Sequence, residues 1–385
     1  MKTVITAMRL LTPAEVIEHP VLVVEDKRIV ALGNRDHVAV PNGARHRNFP
    51  DKILAPGFID VHIHGGSGRD VMELDRSALA AVERGIVKHG VTSYLPTTVS
   101  APLPDTLRAL EHLGKAIRAE SSDVGRSRPL GIHLEGPFVS HAKRGVHPPQ
   151  NLLPPSPEVL RQLHEASEET VRMLTIAPEL EGGIETIIEA VKLGIRASLG
   201  HSNATFVEAK AGIDAGACHA THTFNAMRPL DHREPGILGA VLSDDRVTAD
   251  LIADGLHVAS DVIKLFLRLK GTDRAILITD AISATGMPDG KYKLGGFEVT
   301  VTGDRCDLNG KLAGSVLTLD RAVRNVMNFV PLSLENAVKL VTLNPARLVG
   351  ASDTHGMLLP GRVADVVVLT PSGEVVATMV AGQFA

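Results

Sequence analysis

The chain has 385 residues, of which 44% are hydrophobic and 22% are charged, a composition that suits a globular protein with one large and one small domain. The net charge of −4, the 3% of aromatic residues and the lack of an apolar run long enough to span a bilayer argue against nucleic acid and membrane as partners. The two cysteines, Cys218 and Cys306, lie far apart, which favours a cytoplasmic location over an extracellular disulfide framework.

Both ends of the chain carry β-branched runs that are separated by polar turns. Residues 21–24 and 29–33 flank a charged tip, and residues 364–369 and 375–380 flank a turn with proline and glycine. Such patterns predict β-hairpins. We therefore predict a small β-sandwich domain from the two terminal segments, residues 1–53 and 347–385.

Between these ends, apolar strand-like runs alternate with amphipathic helical segments. The eight strand-like runs are 53–63, 91–97, 129–135, 171–177, 196–200, 217–221, 248–253 and 275–280. Helical spacing of apolar residues is found at 79–87, 107–117, 159–166, 184–191 and 204–213, among other segments. This alternation favours an α/β fold, a (β/α)8 TIM barrel over residues 54–346. A doubly wound parallel sheet is the alternative.

The remaining segments of the predicted barrel are less regular. A β-like insertion at 291–308 follows the eighth strand, and helices are predicted at 319–329 and 333–342. The dipeptide Asn344-Pro345 is a helix stop signal. Five prolines between residues 148 and 157 predict a long, partly rigid loop over the site.

The first candidate site residues are His62 and His64, at the end of the first barrel strand. Side chains two residues apart in a strand point to the same face, so both imidazoles project together. Gly65, Gly66 and Gly68 follow and indicate that the strand gives way to a loop. A His-x-His pair alone is a weak signal, and two histidines that cap a core strand are the alternative interpretation.

Four later strands carry a histidine or a carboxylate at the same end. Glu135 ends the third strand, His201 the fifth and Asp280 the eighth, and His222 follows the sixth. The carboxyl ends of barrel strands converge on one mouth, which predicts a single metal site. Histidine and carboxylate ligands without thiolates suit Zn²⁺ or Fe²⁺.

Neighbouring histidines and the first cysteine have simpler interpretations. His133 lies two residues before Glu135 and is interpreted as a satisfied interior histidine. His219 and Cys218 are interpreted as structural residues. His46 and His112 are typical of surface or helix positions.

The predicted constellation suits hydrolysis without a protein nucleophile. A bound metal lowers the pKa of water towards neutrality and polarises a carbonyl. Asp280 can take the proton of that water and return it to the leaving group. The sequence has no Gly-x-Ser-x-Gly elbow, P-loop or dinucleotide fingerprint, which argues against the enzymes built on those motifs.

Several motifs resemble those of one enzyme family. The motif PGFIDVHIH at 56–64 resembles the first strand of the amidohydrolase superfamily. Six more motifs are similar to the N-acetylglucosamine-6-phosphate deacetylase family, namely HLEGPF (133–138), GHSNA (200–204), THTFNAM (221–227), REPG (233–236), ADGLHV (253–258) and TDA (279–281). The resemblance runs essentially end to end and implies a (β/α)8 barrel with a terminal β-sandwich.

The resemblance also implies a reaction and a metal centre. The family hydrolyses the acetamide of N-acetylglucosamine 6-phosphate to glucosamine 6-phosphate and acetate, in amino-sugar catabolism and cell-wall recycling. By position, Glu135, His201 and His222 match its main metal ligands, His62 and His64 match a second metal position, and Asp280 matches its catalytic acid/base. One or two Zn²⁺ or Fe²⁺ ions per chain are therefore implied. The fourth strand, 171–177, offers no lysine, so Glu135 would bridge two ions.

Substrate contacts and a partner follow from the same resemblance. The implied contacts are Val146, His147, Asn225, Ala226, Arg233, His257, Leu312, Ala313 and Gly314. Arg233 and His257 match residues that reach the sugar phosphate across a dimer interface, so a homodimer is implied. A guanidinium and an imidazole suit a phosphate dianion.

Two other functions are weighed against this one. A non-catalytic barrel that serves as an oligomeric scaffold is expected to have lost its ligands, whereas all six positions are filled here. A deacetylase for another N-acetylated amino sugar phosphate, or for an acyl-amino compound, keeps the chemistry and changes the substrate.

Overall fold

The structure of the protein, a computed structural model, describes residues 2–12, 15–119, 125–294 and 297–385. Eight parallel strands form its centre. They are β1 (Phe58–Ile63), β2 (Val91–Thr98), β3 (Ile132–Glu135), β4 (Val171–Ile176), β5 (Arg196–Leu199), β6 (His219–Ala220), β7 (Thr248–Ile252) and β8 (Ala275–Ile278). Each predicted strand overlaps one of them.

The eight strands follow one another around a closed barrel. Each strand from β1 to β7 pairs in parallel with the next one in sequence. A parallel bridge between Ile63 and Ala281 joins the last strand to the first, and the Asp280 N–H donates to the His62 carbonyl at 3.0 Å. This closure confirms the TIM barrel and excludes the doubly wound sheet, whose edges stay open.

Ten helices are found in the described ranges, and the first eight each follow one barrel strand. They are α1 (Arg76–Ile86), α2 (Leu103–Arg118), α3 (Pro157–Ala166), α4 (Gly183–Lys192), α5 (Phe206–Asp214), α6 (Gly236–Ser243), α7 (Ser260–Arg274), α8 (Leu319–Phe329), α9 (Leu334–Lys339) and α10 (Leu343–Leu348). Their apolar faces and the strands share one large hydrophobic core. No helix in the described ranges is both long and apolar enough to cross a membrane.

A second sheet is built from both ends of the chain. Its eight strands are Lys2–Leu11, Val16–Glu18, Pro20–Glu25, Arg28–Asn34, Arg45–Pro56, Val366–Leu369, Val375–Val380 and Gln383–Phe384. Both predicted hairpins are confirmed. The N-terminal and C-terminal parts meet where Arg45–Pro56 pairs with Val366–Leu369, and the sheet has a hydrophobic core of its own.

The predicted strand 53–63 is wrong as a single element. Its first half belongs to the terminal sheet and its second half is β1, with Gly57 between them. A Cβ at Gly57 would lie 2.1 Å from the Thr92 hydroxyl oxygen. The Gly57 N–H also donates to the Asp365 carbonyl at 2.9 Å, which fixes the passage of the chain from one sheet to the other.

The predicted helix stop at Asn344-Pro345 is also wrong. Both residues lie in the first turn of α10, where proline is tolerated because the N–H of that turn has no intrahelical acceptor. The Asn344 side chain donates to the carbonyls of Thr272 and Ala275, each at 2.7 Å. These tertiary hydrogen bonds hold the Asn-Pro pair, which usually ends a helix, inside the first turn of one.

The predicted β-like insertion is a small antiparallel sheet at the mouth of the barrel. Its strands are Gly290–Leu294, Phe297–Thr302, Arg305–Leu308 and Lys311–Leu312, and we call it the flap sheet. The segment after β3 contains the short 3-10 turns His141–Lys143 and Pro149–Asn151 before Pro157 starts α3. Both segments line the site described below.

A partly buried ion pair joins the terminal sheet to the barrel. Both carboxylate oxygens of Asp365 accept hydrogen bonds from the Arg128 guanidinium, at 3.0 and 3.1 Å. The Ala381 N–H donates to the same carboxylate at 2.7 Å. Asp365 is only 5% exposed, so its charge depends on these donors.

We expect Asp365→Asn to lower the free energy of unfolding by about 1–2 kcal/mol, since Arg128 loses a charged hydrogen-bond partner while its own charge, 34% exposed, stays partly solvated. Chemical denaturation measures the change. The matched control is Glu298→Gln in the exposed Lys291–Glu298 pair of the flap sheet, which should leave the midpoint unchanged. Equal effects of the two substitutions would contradict the structural role of Asp365.

Candidate active site

The predicted ligands meet at the carboxyl ends of the barrel strands. His62, His64, Glu135, His201 and His222 are all at most 5% exposed. In the described residues, the ligand atoms of His62, His64 and Asp280 lie within 4.8 Å of one another, and so do those of Glu135, His147 and His201. The structure thus brings together residues that are more than two hundred positions apart.

Glu135 lies at the centre of this cluster. Its Oε1 is 2.9 Å from Nε2 of His222 and 3.1 Å from Nε2 of His201. Its Oε2 is 3.3 Å from Nε2 of His64. Oε1 also lies 3.4 Å from Nε2 of His62, so this one carboxylate contacts both groups of histidines.

His62, His64 and Asp280 form the other side of the cluster. The Nε2 atoms of His62 and His64 are 3.1 Å apart. Oδ1 of Asp280 lies 3.2 Å from Nε2 of His64 and 3.5 Å from Nε2 of His62. Asp280 is thus in contact with both imidazoles at the edge of the cavity.

Backbone carbonyls fix the tautomers of three histidines. Nδ1 donates to the Lys143 carbonyl at 2.8 Å in His201 and to the Thr97 carbonyl at 3.0 Å in His64. Nδ1 of His222 donates to the Asn225 carbonyl at 3.2 Å. Because Nδ1 is engaged by a carbonyl, Nε2 is the ring atom that faces the cluster and can ligate a metal.

This donor set fits a divalent metal ion. Nε2 of His201 and Nε2 of His222 are 3.0 Å apart, close enough for both nitrogens to ligate one cation. Ligands about 2.1 Å from a tetrahedral ion lie roughly 3.4 Å from one another, close to the separations found here. Buried histidines around a carboxylate are a typical ligand set for Zn²⁺ and related metals.

The electrostatics of the cluster favour positive charge at its centre. Burial alone would raise the pKa of the Glu135 carboxyl, but the surrounding imidazoles, first that of His62 and then that of His201, hold it well below its ordinary value. Burial likewise opposes ionisation of Asp280, yet the His64 hydrogen bond and the His62 charge lower its pKa to about 2. Both side chains are therefore carboxylates. Burial lowers the pKa of His201 to about 4, which keeps it neutral.

Three site residues adopt a backbone conformation that is rare for L-amino acids. The φ angle is +46° at His201, +29° at His222 and +51° at Asp280. Such residues cost roughly 1–3 kcal/mol each and persist where the surroundings over-determine them. At His201, for example, the carbonyl accepts from the Ser140 N–H at 2.9 Å. Strain of this kind is typical of functional sites.

His147 has a different tautomer from the other histidines. Its Nδ1 accepts from the Ser100 N–H at 3.2 Å and is 2.8 Å from the Ser100 hydroxyl. The proton is therefore on Nε2, which lies 3.4 Å from Oε2 of Glu135. A protonated nitrogen cannot ligate a metal, so His147 is suited to donate a hydrogen bond in the site.

His133 is a satisfied interior histidine, as predicted. Its Nδ1 donates to the Val61 carbonyl at 3.1 Å, and its Nε2 is 2.7 Å from the Thr175 hydroxyl. Burial lowers its pKa well below the ordinary value. It supports the packing beneath His62 and offers no free ligand atom.

A cavity of about 160 Å³ opens directly onto the cluster. Most of the predicted substrate contacts line it, namely Val146, Asn225, Ala226, His257, Leu312, Ala313 and Gly314. Gly145, Ile252 and Leu294 also line it and were missed, since apolar wall residues carry no signal in a single sequence. His62 and His147 lie behind the wall, where they contact the cluster instead.

Individual lining residues present polar atoms to this cavity. The Asn225 side-chain nitrogen is buried and has no hydrogen-bond partner among the described residues, so it is available to a ligand. Nδ1 of His257 is held by the Asp254 carboxylate at 2.6 Å, which leaves Nε2 available. Gly314 has a φ of +61°, and a Cβ there would lie 2.3 Å from Ile282, so the flap sheet approaches the barrel through this glycine.

The structure does not bring Arg233 to this cavity. Arg233 is exposed on the loop before α6, where its N–H donates to the Asp231 carboxylate at 2.8 Å. His257, which the family resemblance assigns to a subunit interface together with Arg233, lines the cavity of its own chain. The two predicted phosphate contacts are thus separated in the single chain.

Two acidic residues that support the site were not singled out from the sequence. Glu179 accepts from the Ser202 hydroxyl at 2.7 Å and from the Asn203 N–H at 2.6 Å, next to His201. Asp60 is fully buried, and burial raises its pKa to about 6; it accepts from the Thr279 hydroxyl at 2.6 Å. Glu179 closely follows the fourth strand, so the strand-end criterion applied above could have found it.

Known proteins resemble this chain over its whole length. A family model described as the amidohydrolase family matches residues 53–385. An N-acetylgalactosamine-6-phosphate deacetylase of Escherichia coli O157:H7 is 37% identical over 100% of both chains. An N-acetylglucosamine-6-phosphate deacetylase of Lysinibacillus sphaericus is 37% identical over 90% of this chain and 88% of that protein.

A solved structure agrees with these relatives. It is an N-acetyl-D-glucosamine-6-phosphate deacetylase of Mycobacterium smegmatis, an aspartate-to-alanine variant in complex with N-acetyl-D-glucosamine-6-phosphate. It covers 100% of this chain and 99% of its own, with a TM-score of 0.92 and 36% identity. The chain therefore belongs to the amidohydrolase family of metal-dependent hydrolases, and within it to the group that contains the N-acetylglucosamine-6-phosphate deacetylases.

Proposed function

We propose that this protein hydrolyses the acetamide of N-acetylglucosamine 6-phosphate to glucosamine 6-phosphate and acetate. The observation that carries the proposal is the buried cluster of four histidines around Glu135, with Asp280 at its edge and a small cavity beside it. Relatives that act on N-acetylated amino sugar phosphates support the substrate class. The product would feed amino-sugar catabolism, and the predicted cytoplasmic location suits that role.

We propose that Glu135, His201 and His222 hold one divalent ion, Zn²⁺ or Fe²⁺, and that His62 and His64 hold a second. Oε1 and Oε2 of Glu135 face different histidines, which supports a bridging role for this carboxylate. When bound, such an ion lowers the pKa of water and polarises a carbonyl oxygen. A chain binds two ions if His62 and His64 hold the second one, and a single ion if they do not.

Asp280 is the proposed general base and acid. As a carboxylate, it takes a proton from the water that attacks the acetamide carbon, and it then delivers that proton to the departing amine nitrogen. The C–N bond breaks as the new C–O bond forms, so acetate and the free amine result. His147 directs its Nε2–H towards Oε2 of Glu135 at 3.4 Å and is suited to hold that carboxylate in position.

Substrate recognition divides between the cavity and a second subunit. Asn225, Ala226 and the 312–314 segment are proposed to hold the sugar, and His257 is proposed to bind the phosphate. A protein of the proposed specificity needs a cation at the phosphate, and Arg233 does not line the cavity of its own chain. We therefore propose a homodimer in which Arg233 reaches the partner's substrate.

Two alternatives remain to be tested by assay. N-acetylgalactosamine 6-phosphate is the second candidate substrate, because a relative that matches the full chain acts on it by name. An oligomeric scaffold without activity is the less economical alternative, since every ligand position is filled. We retain as a proposal a terminal domain of residues 1–53 and 347–385 and a barrel domain of residues 54–346. With these limits, Gly57 lies just inside the barrel domain.

We expect protein purified without chelator to contain zinc or iron, and Glu135→Gln to lose both the metal and acetate release, because the carboxylate contacts both groups of histidines. Elemental analysis and an acetate assay on the same samples measure this. His46→Ala, on an exposed strand of the terminal sheet, is the control and should retain both. A metal-free parent protein that releases acetate at full rate would contradict the metal centre.

We expect Asp280→Asn to lower kcat by roughly 10³-fold while metal content stays at the parent level, since only proton transfer is lost. Steady-state kinetics and elemental analysis measure the two quantities. The control is Asp289→Asn in the flap sheet region, which should keep parent activity. Turnover within a few-fold of the parent would reject the proposed role of Asp280.

We expect the unphosphorylated sugar to have a kcat/KM at least about 100-fold below that of the phosphorylated one, because it lacks the charge that His257 and Arg233 bind. Arg233→Ala should remove most of this difference, whereas Arg268→Ala on the surface of α7 should not. The same kcat/KM values are measured with N-acetylglucosamine 6-phosphate and with its C4 epimer, N-acetylgalactosamine 6-phosphate.

Mixing inactive variants tests whether Arg233 acts across subunits. Dissociated and reassociated Asp280→Asn and Arg233→Ala chains should regain about a quarter of parent activity, because half the dimers are hybrid and each hybrid has one complete site. No recovery would show that Arg233 does not act across an interface. Light scattering on the parent protein reports the oligomeric state independently.

A further inference from the structure

A second buried pair of side chains lies beneath His222. Asp250 on β7 and His219 on β6 are both 0% exposed, and Oδ2 of Asp250 is 2.8 Å from Nε2 of His219. The strands pair so that His219 lies opposite Thr248. The proposed mechanism does not use this pair, because neither side chain lines the cavity.

Asp250 holds the backbone of His222 from both sides. Its Oδ1 accepts the His222 N–H at 2.5 Å, and its own carbonyl accepts the Thr223 N–H at 2.8 Å. His222 has a φ of +29°, a conformation that needs strong local support. Asp250 supplies two of the contacts that keep the residue in that conformation.

His219 in turn fixes the orientation of the Asp250 carboxylate. The Thr248 hydroxyl donates to the Cys218 carbonyl at 3.2 Å, so it accepts from Nδ1 of His219, which is 2.8 Å away. Nε2 of His219 then shares one proton with Asp250. The pair is neutral as a whole whichever partner carries that proton, which makes its burial tolerable.

We propose that Asp250 is a positioning residue for the metal centre, which holds His222 in its ligand conformation through the His222 N–H and is itself held by His219 and Thr248. The inference rests on the proposed function, because it takes His222 as a metal ligand. It extends the sequence interpretation of His219 as merely structural. Side chains that orient metal ligands typically change metal affinity 10–100-fold when they are removed.

The experiment is Co²⁺ titration of the metal-stripped protein, followed by visible absorption. Asp250→Ala should weaken Co²⁺ binding about 10–100-fold and alter the absorption bands, because His222 loses its support. Asp250→Asn should stay within about threefold of the parent, since the amide oxygen still accepts from His222 and the amide nitrogen donates to neutral His219. Rescue by Asn separates positioning from a loss of folding.

A matched control removes a buried hydrogen bond elsewhere. Tyr94→Phe deletes the contact with Glu83 at 3.1 Å, which lies between β2 and α1, and it should leave Co²⁺ affinity unchanged. If Asp250→Ala does not fold, Thr248→Val replaces it, since this isosteric change frees His219 and should weaken Co²⁺ binding about 3–10-fold.

Three results would overturn the inference. The first is parent-like Co²⁺ affinity in Asp250→Ala, or in Thr248→Val if Asp250→Ala does not fold. The second is a loss of Co²⁺ affinity in Tyr94→Phe that equals the loss in Asp250→Ala. The third is a loss in Asp250→Asn as large as that in Asp250→Ala. Acetate release by the zinc-loaded parent distinguishes this failure from failure of the proposed function. A parent that binds Co²⁺ but releases no acetate would contradict the function alone.

Discussion

The burial of several imidazole nitrogens around the Glu135 carboxylate is the constraint on which the rest of the site depends. Nε2 atoms of three histidines point inward because backbone carbonyls hold the protons on Nδ1. Two of these nitrogens are only 3.0 Å apart, in surroundings from which water is excluded. Such an arrangement is stable only around positive charge, so the fold has assembled a cation site and kept it buried.

Keeping the site in this state requires strained backbone at several strand ends. His201, His222 and Asp280 all have positive φ angles, and each lies where a barrel strand turns into a loop. Closure of the barrel contributes directly, since the Asp280 N–H bonds to the His62 carbonyl. The carboxylates of Glu179 and Asp250 support the neighbours of His201 and the N–H of His222. These barrel contacts therefore hold the candidate ligands in their observed positions.

The two accessory sheets act at different distances from the cluster. The flap sheet and the 312–314 segment narrow the mouth to a cavity of about 160 Å³, a size that suits a small substrate. The terminal sheet lies farther away, where Gly57 and the Arg128–Asp365 pair connect it to β1 and the second strand region. It anchors the strand that carries His62 and His64.

The sequence by itself determined the barrel, the hairpins at both ends and the candidate ligands that the structure brings together. Alternating apolar runs, five of them followed by a histidine or carboxylate, are local patterns, which is why they can be read without coordinates. Only the tertiary structure decided that strand 53–63 breaks at Gly57, that Pro345 begins a helix, that His147 donates instead of ligating, and that Arg233 lies outside the cavity. The first three depend on contacts with residues distant in the chain, such as Ser100 for His147, and the fourth depends on where the loop before α6 lies relative to the barrel mouth. No local pattern encodes either.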